Sequence, residues 1–324
     1  MARIEHQQRR YNGMVGLMLR TALSPDEVRR YVQQARNPNY WRKLNPQLTV
    51  SDKFDSGKVR ARAITTTARR TALARLEDEG YCQLDSVYPD AMMKRIRQGI
   101  ENLAKANWPT VFIYAYDECW LMKRIPSFVA LMDSILGPDH MELRNNWAHY
   151  IRPVPGAHGW IPHMDGPFLD GRASAWFPIT DATLDNGCIY IIPQNRIPRA
   201  MADSFRRARR YTSDQFKLLL QNARALPVRA GSILVWNFRT IHWGSTVGHT
   251  KEPRISVATE FVSTQAPGFA NDASPLEAHS SIPPFDVRLQ VIGRGVSLFP
   301  GFEPKLLRYR EVAQQLWTGE ESAT

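Results

Sequence analysis

The sequence predicts a mainly β protein with helical decoration (α+β), in which N-terminal helices pack on a jelly-roll or cupin-like barrel. Helical patterns fill most of the chain up to about residue 136. Short segments rich in β-branched and aromatic residues, separated by Gly, Pro, Asn and Asp, follow from about 141 to 263. The length of 324 residues and the apolar content of 43% allow one large core.

The helical first part is predicted from start and stop signals. Ser24 followed by Pro25 and two acidic residues is typical of a helix N-terminus. Apolar residues at helical spacing and the breaks between them predict the later elements. These are a helix ending near Gly80, a strand at 81–84, and helices over about 90–105 and 126–136.

Five segments predict the strands of the barrel: "MELRNNWAHYIRP", "ASAWFPITDA", "GCIYIIP", "GSILVWNF" and "RISVATEFV". Asn186-Gly187 predicts a hairpin turn. Residues 198–224 are polar, basic and compatible with a helix, which predicts a helical insert over the barrel mouth. The expected organisation is a helical extension (1–72), a barrel domain (73–264, with its core at about 141–264) and a Pro-rich C-terminal extension that ends in a helix (265–324).

The charge balance favours anionic partners. Lys and Arg number 42 against 31 Asp and Glu, which gives a net charge of +11. A cluster of arginines at 206–210 beside the expected barrel mouth suggests an anionic small-molecule substrate, although a solvated basic face explains the same cluster. The pattern lacks the aromatic and basic alternation of single-strand binders, so nucleic acid is not expected.

Cysteine usage and the lack of long apolar runs bear on the compartment. Cys82, Cys119 and Cys188 are odd in number and widely spaced, which argues against a disulfide framework and a CxxC zinc site. The N-terminal "MVGLML" is too short for a signal segment, and no run approaches a membrane span. We expect a cytoplasmic protein with reduced thiols; peripheral contact with a membrane and the oligomeric state stay open.

The segment "WIPHMDGP" contains the candidate metal ligands His163 and Asp165. Residues two apart on a strand face the same side, and two histidines with one carboxylate leave coordination positions open on Fe(II). His242, which follows the buried strand "GSILVWNF", is the best third ligand. His249, in the exposed segment "VGHTKEP", is the nearest competitor, and His140 with Glu142 repeats the same spacing in a weaker strand context.

Five segments follow one another in order within residues 73–264: "LARLEDEGYCQLDSVYPDAMMKRIRQGI", "PHMDG", "AWFPITDATLDNGCIYIIP", "IHWGS" and "RISVATEF". Together they give this part of the chain a resemblance to the phytanoyl-CoA dioxygenase (PhyH) family of Fe(II)- and 2-oxoglutarate-dependent oxygenases. The chain departs from the family pattern at Gln194-Asn195-Arg196, where Gly-Ser-His is usual, and at Trp243, which separates His242 from Gly244.

The resemblance implies a double-stranded β-helix and a set of site residues. His163, Asp165 and His242 would bind Fe(II), and O2 and 2-oxoglutarate would be the cosubstrates. Arg254 would bind the distal carboxylate of 2-oxoglutarate, because a guanidinium group binds a carboxylate through two hydrogen bonds. The further cosubstrate contacts implied are Ser256, Ser245, Trp176 and Asn146.

The activity implied is hydroxylation of an unactivated C–H bond in a small anionic substrate, with release of succinate and CO2. Related halogenases replace the ligand carboxylate with Gly or Ala, so Asp165 favours hydroxylation. Desaturation, cyclisation, epimerisation or halogenation at the same iron site is the nearest alternative. A non-catalytic basic barrel that binds nucleic acid or an acidic membrane surface is the alternative from another class, and it predicts salt-sensitive binding without iron.

Overall fold

Two antiparallel β-sheets with surrounding helices form the protein, which confirms the predicted α+β class. The computed structural model describes residues 22–51, 59–166, 170–197, 212–272, 274–300 and 303–318. Within these ranges, no helix combines the length and the apolar character needed to cross a membrane.

Helices α1 (Pro25–Arg36), α2 (Pro38–Leu44) and α3 (Thr66–Glu79) come first in the described chain. The predicted N-terminus of α1 is confirmed: the Ser24 hydroxyl accepts from the backbone of Glu27, and the Glu27 carboxylate accepts from the backbone of Ser24. Helix α3 ends at Gly80, whose φ of 83° places it in the left-handed region, where glycine lacks the steric penalty of a side chain.

Helices α4 (Asp90–Lys105), α5 (Asp117–Leu121) and α6 (Pro126–Leu136) complete the layer before the barrel. In α4 the predicted stripe of Ile96, Ile100 and Leu103 is fully buried. This burial explains why the helical spacing in the sequence located the element correctly.

The larger sheet has seven strands. Six of them follow the order β1-β7-β4-β9-β2-β10, and the seventh, β3, pairs with β9. Its strands are β1 (Tyr81–Leu84), β2 (Met141–Glu142), β3 (Trp147–Ile151), β4 (Arg172–Pro178), β7 (Ile233–Asn237), β9 (Arg254–Val262) and β10 (Leu276–Glu277). Strand β9 pairs with both β3 and β4, so its side chains lie at the centre of the sheet.

The smaller sheet has the order β6-β5-β8, from β5 (Ile189–Ile192), β6 (Arg224–Leu226) and β8 (Ile241–Gly244). Helix α7 (Ser213–Asn222) lies between β5 and β6 in the chain. It covers the second half of the predicted insert; residues 198–211, with the arginines at 206–210, lie outside the described residues.

The hairpin expected at Asn186-Gly187 is wrong, because β4 and β5 lie in different sheets. Gly187 does have a positive φ of 87°. The Asn186 side chain accepts from the backbone of Thr183 at 2.7 Å and donates to the carbonyl of Asp181 at 2.8 Å. These bonds stabilise a connection between the sheets.

One hydrophobic cluster joins the helices to the outer face of the larger sheet. Residues near both ends of the chain contribute to it, including Val28 and Trp41 before the barrel and Val312 and Leu316 after it. Two helices that follow the barrel, α8 (Phe285–Leu298) and α9 (Arg310–Thr318), pack into this cluster. Helix α8 was not expected from the Pro-rich composition around it.

Candidate metal centre and cosubstrate cavity

His163 and His242 are neighbours across an isolated β-bridge. The amide of His163 donates to the carbonyl of His242 at 3.1 Å, and the reverse bond is 3.0 Å long. This pairing adds the His-x-Asp segment to the edge of the smaller sheet, beside β8. The two imidazole rings consequently lie 4.3 Å apart.

Asp165 faces both histidines with one oxygen and the larger sheet with the other. Its Oδ1 lies 3.5 Å from His163 Nε2 and 3.6 Å from His242 Nε2. Its Oδ2 accepts hydrogen bonds from Ser174 Oγ on β4 at 2.6 Å and from Trp236 Nε1 on β7 at 2.8 Å. One oxygen is therefore held by two donors, and the other is directed at the imidazoles.

Backbone carbonyls fix the orientation of both imidazoles. His163 Nδ1 lies 2.7 Å from the carbonyl oxygen of Ile161, and His242 Nδ1 lies 3.1 Å from that of Thr240. Because a carbonyl oxygen only accepts, each Nδ1 carries the hydrogen and each Nε2 carries the lone pair. The ligand atoms of the three residues lie within 4.8 Å of one another, close enough for one ion.

The protonation state of His242 fits this arrangement. Burial lowers the pKa of His242 to about 4, so its imidazole is neutral near pH 7. Burial raises the pKa of Asp165, but the two histidines and the bond from Ser174 outweigh it and hold that pKa below its usual value. Burial lowers the pKa of His163, and the bond to Asp165 raises it above the ordinary value.

Arg254 lies in the same cavity and has no carboxylate partner in the described chain. Its side chain is 1% exposed, and its Nε and Nη1 have no hydrogen-bond partner within the described ranges. Burial lowers the pKa of Arg254 to about 10, which still leaves it charged near pH 7. A buried, charged fork without an anion fits a ligand carboxylate.

Two glycines make room for that guanidinium group. A Cβ on Gly244 would lie 2.8 Å from Arg254 Nη2, and one on Gly159 would lie 2.7 Å from the same atom. Gly244 comes two residues after His242. The "IHWG" segment therefore positions a metal ligand and leaves space for the arginine.

Two other residues predicted for the cosubstrate lie in or next to this region. Trp176 lines the cavity, with its ring centroid 6.0 Å from the Arg254 guanidinium carbon. Ser256 is two residues after Arg254 on β9, on the same face, and its buried Oγ has no partner in the described part of the chain.

The structure corrects the placement of Asn146 and Ser245. The Asn146 amide donates to Glu142 at 3.1 Å and accepts from Lys123 at 2.9 Å, so it belongs to a buried cluster. Its neighbour Asn145 is the residue on the cavity wall. Ser245 is absent from the described cavity lining, and its backbone amide donates to Cys188 in the smaller sheet.

Sequence reasoning missed His149, which lines the cavity. It is paired with Ser256 across β3 and β9, and burial followed by the charge of Arg254 holds the pKa of His149 well below its usual value. Its Nδ1 is buried without a partner in the described chain. The alternation in "WAHYI", which places Trp147 and His149 on one face, is the signal that could have found it.

The empty space of the cavity, counted together with the part that is open to solvent, is about 560 Å³. Further residues that the sequence did not single out line it: Asn145, Trp147, Trp160, Ser174, Trp236, Glu260 and Phe299. Two nitrogens and one carboxylate oxygen fit Fe(II), and the N–H groups of Arg254 that have no partner in the described ranges fit a carboxylate. The residues present therefore match both groups that the resemblance implies.

A second His and Asp group lies elsewhere. Asp133 Oδ1 is 3.1 Å from His279 Nε2 and 3.2 Å from His140 Nδ1, but that nitrogen of His140 also faces the carbonyl of Gly137 at 3.1 Å. None of the three lines the cavity. Glu142, the partner suggested for His140 by spacing, instead pairs with Lys123 and Arg124.

Three solved structures illustrate the fold that the chain shares. The epimerase SnoN, in complex with Fe3+, alpha ketoglutarate and nogalamycin RO, superposes with a TM-score of 0.51 at 17% identity, over 68% of this chain and 97% of SnoN. The non-heme monooxygenase ThoJ superposes with a TM-score of 0.51 at 16% identity, over 76% of this chain and 99% of ThoJ. The carbocyclase SnoK superposes with a TM-score of 0.50 at 15% identity, over 67% of this chain and 94% of SnoK. At these identities the likeness establishes the jelly-roll fold alone.

A family match comes from the sequence itself. None of the curated proteins matches the chain. Residues 116–256, however, match the family model for phytanoyl-CoA dioxygenase (PhyH). The matched segment contains His163, Asp165, His242 and Arg254. Over this segment the chain is similar to the phytanoyl-CoA dioxygenase family of Fe(II)- and 2-oxoglutarate-dependent oxygenases.

Proposed function

We propose that this protein is an Fe(II)- and 2-oxoglutarate-dependent dioxygenase that hydroxylates an unactivated C–H bond of a small organic substrate, with release of succinate and CO2. One observation carries the proposal. The Nε2 atoms of His163 and His242 face the same oxygen of Asp165, at 3.5 and 3.6 Å, in a cavity that also holds Arg254, a cation without an anionic partner among the described residues.

In the proposed site His163, Asp165 and His242 bind iron through two neutral nitrogens and one carboxylate oxygen. Iron, when bound, supplies the oxygen chemistry that no side chain can perform. The chain's contribution is geometric. The carbonyls of Ile161 and Thr240 hold the imidazoles in the ligating tautomer, and Ser174 and Trp236 hold the carboxylate.

Arg254 binds the distal carboxylate of 2-oxoglutarate in this proposal. Its Nε and Nη1 offer two donors, and the Ser256 hydroxyl on the same face of β9 offers a third. Trp176 packs beside the guanidinium group and shields it from water. Burial makes each of these bonds stronger than it would be at the surface.

The ligand carboxylate supports hydroxylation over halogenation, because Asp165 occupies the position that a halide would need. Desaturation, cyclisation and epimerisation use the same ligands and differ only in the product. Mass analysis of the product therefore decides among them: hydroxylation adds one oxygen atom from O2 to the substrate.

The test is an anaerobic optical titration of the full chain with Fe(II) and then 2-oxoglutarate. We expect a visible charge-transfer band in the wild type, no band in His163→Ala, and an unchanged band in His249→Ala. His249 is an exposed histidine outside the cavity, so it controls for adventitious binding. His279→Ala should also keep the band. This variant shows whether the iron binds in the cavity or at the second His and Asp group.

A folded wild-type protein without the band would contradict the proposal, as would a band that survives His163→Ala. Circular dichroism of each variant establishes folding independently. Succinate release in air, measured with and without candidate substrates, then shows whether the bound cosubstrate turns over.

A further inference from the structure

The cavity has a second polar end, opposite Arg254. Arg254 and Glu260 lie six residues apart on β9, so their side chains share one face of the strand. At the rise of an extended strand their Cα atoms are separated by roughly 20 Å. Both residues line the cavity, with the metal ligands also on its wall. If Arg254 binds the cosubstrate, as the proposed function requires, Glu260 lies at the end left for the substrate.

Neighbouring side chains orient the Glu260 carboxyl group. Asn145 Nδ2 donates to Glu260 Oε2 at 2.7 Å. Arg294 Nε on α8 donates to Asn145 Oδ1 at 3.2 Å, which fixes the direction of that amide. Within the described residues no donor bonds to Glu260 Oε1, and the charges of Arg172 and Arg294 act on the carboxyl group without forming an ion pair with it. One oxygen is held and the other is available to a ligand.

Formal charge points to the nature of that ligand. Under the proposed function, the charges of Fe(II) and Arg254 are balanced by Asp165 and the two carboxylates of 2-oxoglutarate. Glu260 is then the one remaining ionisable group on the described lining that carries a negative charge when ionised. A half-buried carboxylate needs a cation or several donors to stay ionised, so this end of the cavity favours a cationic substrate over an anionic one.

Trp147, Trp160 and Phe299 form an aromatic wall of the same cavity. The ring centroids of Phe299 lie 4.8 Å from those of both Trp147 and Trp160, and the two tryptophans are 5.9 Å apart. Aromatic walls bind flat apolar rings and also attract cations. Trp147 is paired with Ala258, two residues before Glu260, so the wall and the carboxyl group are close on the sheet.

We infer that the substrate combines a protonated amine, bound by Glu260, with a flat apolar ring that packs on Trp147, Trp160 and Phe299. This differs from the anionic substrate expected from the sequence, which depended on the net charge and on arginines outside the described residues. Glu260, Arg294 and Phe299 also lie beyond the family-matched segment 116–256. They therefore give this chain a specificity that the family match does not define.

Three probes of one shape test the inference: 2-phenylethylamine, 2-phenylethanol and 3-phenylpropionate. Their binding to the anaerobic Fe(II)–2-oxoglutarate complex is measured by calorimetry at pH 7.5. We expect the amine to bind about tenfold more tightly than the alcohol and the carboxylate to bind most weakly. Glu260→Gln should lower amine affinity about tenfold and change alcohol affinity less than about twofold.

Control variants separate local from general effects. Glu252→Gln removes a carboxylate that is paired with Arg97 outside the cavity, and it should bind all probes as the wild type does. Asn145→Ala keeps the Glu260 carboxyl group but removes the hydrogen bond that orients it. The ratio of amine affinity to alcohol affinity should therefore fall severalfold. This variant keeps the inference testable if Glu260→Gln fails to fold.

Equal or tighter binding of the carboxylate, no saturable binding of the amine, or unchanged amine affinity in both cavity variants would overturn the inference. The charge-transfer band is recorded in the same samples. A complex that shows the band and ignores the amine contradicts only the substrate class. Loss of the band in the wild type contradicts the proposed function itself.

Discussion

Trp236 Nε1 donates a 2.8 Å hydrogen bond to Asp165 Oδ2, and this bond links the larger sheet to the His-x-Asp segment at the edge of the smaller one. The unbonded Oδ1 consequently points at both imidazoles. Trp236, whose ring also packs against the His242 imidazole with centroids 4.4 Å apart, thus sets the direction of the carboxylate.

Trp236→Phe tests that bond, because it keeps an aromatic ring and removes the N–H donor. We expect Fe(II) affinity to fall by about 10- to 100-fold while the fold is retained. Trp41→Phe is the matched control, since Trp41 donates to the Ala35 carbonyl in the helical layer. Affinity is measured by anaerobic titration; equal Fe(II) affinities in the two variants would show that the bond is not needed.

Gly244→Ala should separate cosubstrate binding from metal binding. The new methyl group would lie 2.8 Å from Arg254 Nη2 and from the Cα of Gly159, so the guanidinium group must move. We expect 2-oxoglutarate affinity to fall at least about tenfold with little change in Fe(II) affinity. In Gly248→Ala the nearest atom is 3.8 Å away, and that variant should bind both normally. A normal 2-oxoglutarate affinity in Gly244→Ala would contradict the close packing described.

Arg254→Met should stabilise the protein in the absence of 2-oxoglutarate and should abolish the further stabilisation that 2-oxoglutarate binding gives. The buried guanidinium group lacks an anion in the described chain, so replacing it removes a desolvation cost. We expect the Tm to rise by roughly 2–5 °C, while 2-oxoglutarate no longer raises it further. Arg172→Met should instead lower the Tm, because Arg172 pairs with Asp272. Differential scanning fluorimetry decides; a lower Tm for Arg254→Met would refute the prediction.

Glu260→Gln should change how stability depends on pH. Burial, with a contribution from the charge of Asp165, raises the pKa of Glu260 to about 8. A carboxyl group whose folded pKa is raised binds more protons in the folded state, so the wild type loses stability as pH rises from about 4.5 to 8. The metal-free variant should therefore gain Tm over the wild type at pH 8 and little at pH 5. The same difference at both pH values would contradict this assignment.

Asn146→Ala tests the corrected role of that residue. Its amide bonds to Glu142 and Lys123 in the core, so we expect a loss of about 1–3 kcal/mol in the free energy of unfolding. The 2-oxoglutarate affinity should stay within about twofold of the wild-type value. Denaturant melts and calorimetry measure the two effects; a large loss of cosubstrate affinity in a stable variant would restore the original expectation.

The helices and strands with strong local signals were predicted well. Ser24 and Pro25 fix the start of α1 through bonds within four residues, and the stripe in α4 reflects one buried face. Helix α8 was missed because it follows a Pro-rich stretch, and its buried residues pack against distant parts of the chain. Local composition does not encode that packing.

The site was predicted in part for the same reason. His163, Asp165, His242 and Arg254 lie in ordered motifs, and the structure brings all four to one cavity. Asn145 and Asn146 illustrate the limit. They are adjacent in sequence, and only the register of β3 on β9 and the buried Lys123 decide which amide faces the cavity. Glu260 and Phe299 carry no motif, and tertiary contacts alone place them there.

The position of the candidate ligands on both sheets has a mechanical consequence. His163 and His242 pair at the edge of one sheet, while Asp165 is tied to β4 and β7 of the other. An ion held by all three would cross-link the two sheets and close a loop between His163 and His242, which lie 79 positions apart in the sequence. Removal of iron should then accelerate amide hydrogen exchange along β8 and the His-x-Asp segment first, while the helical layer stays protected.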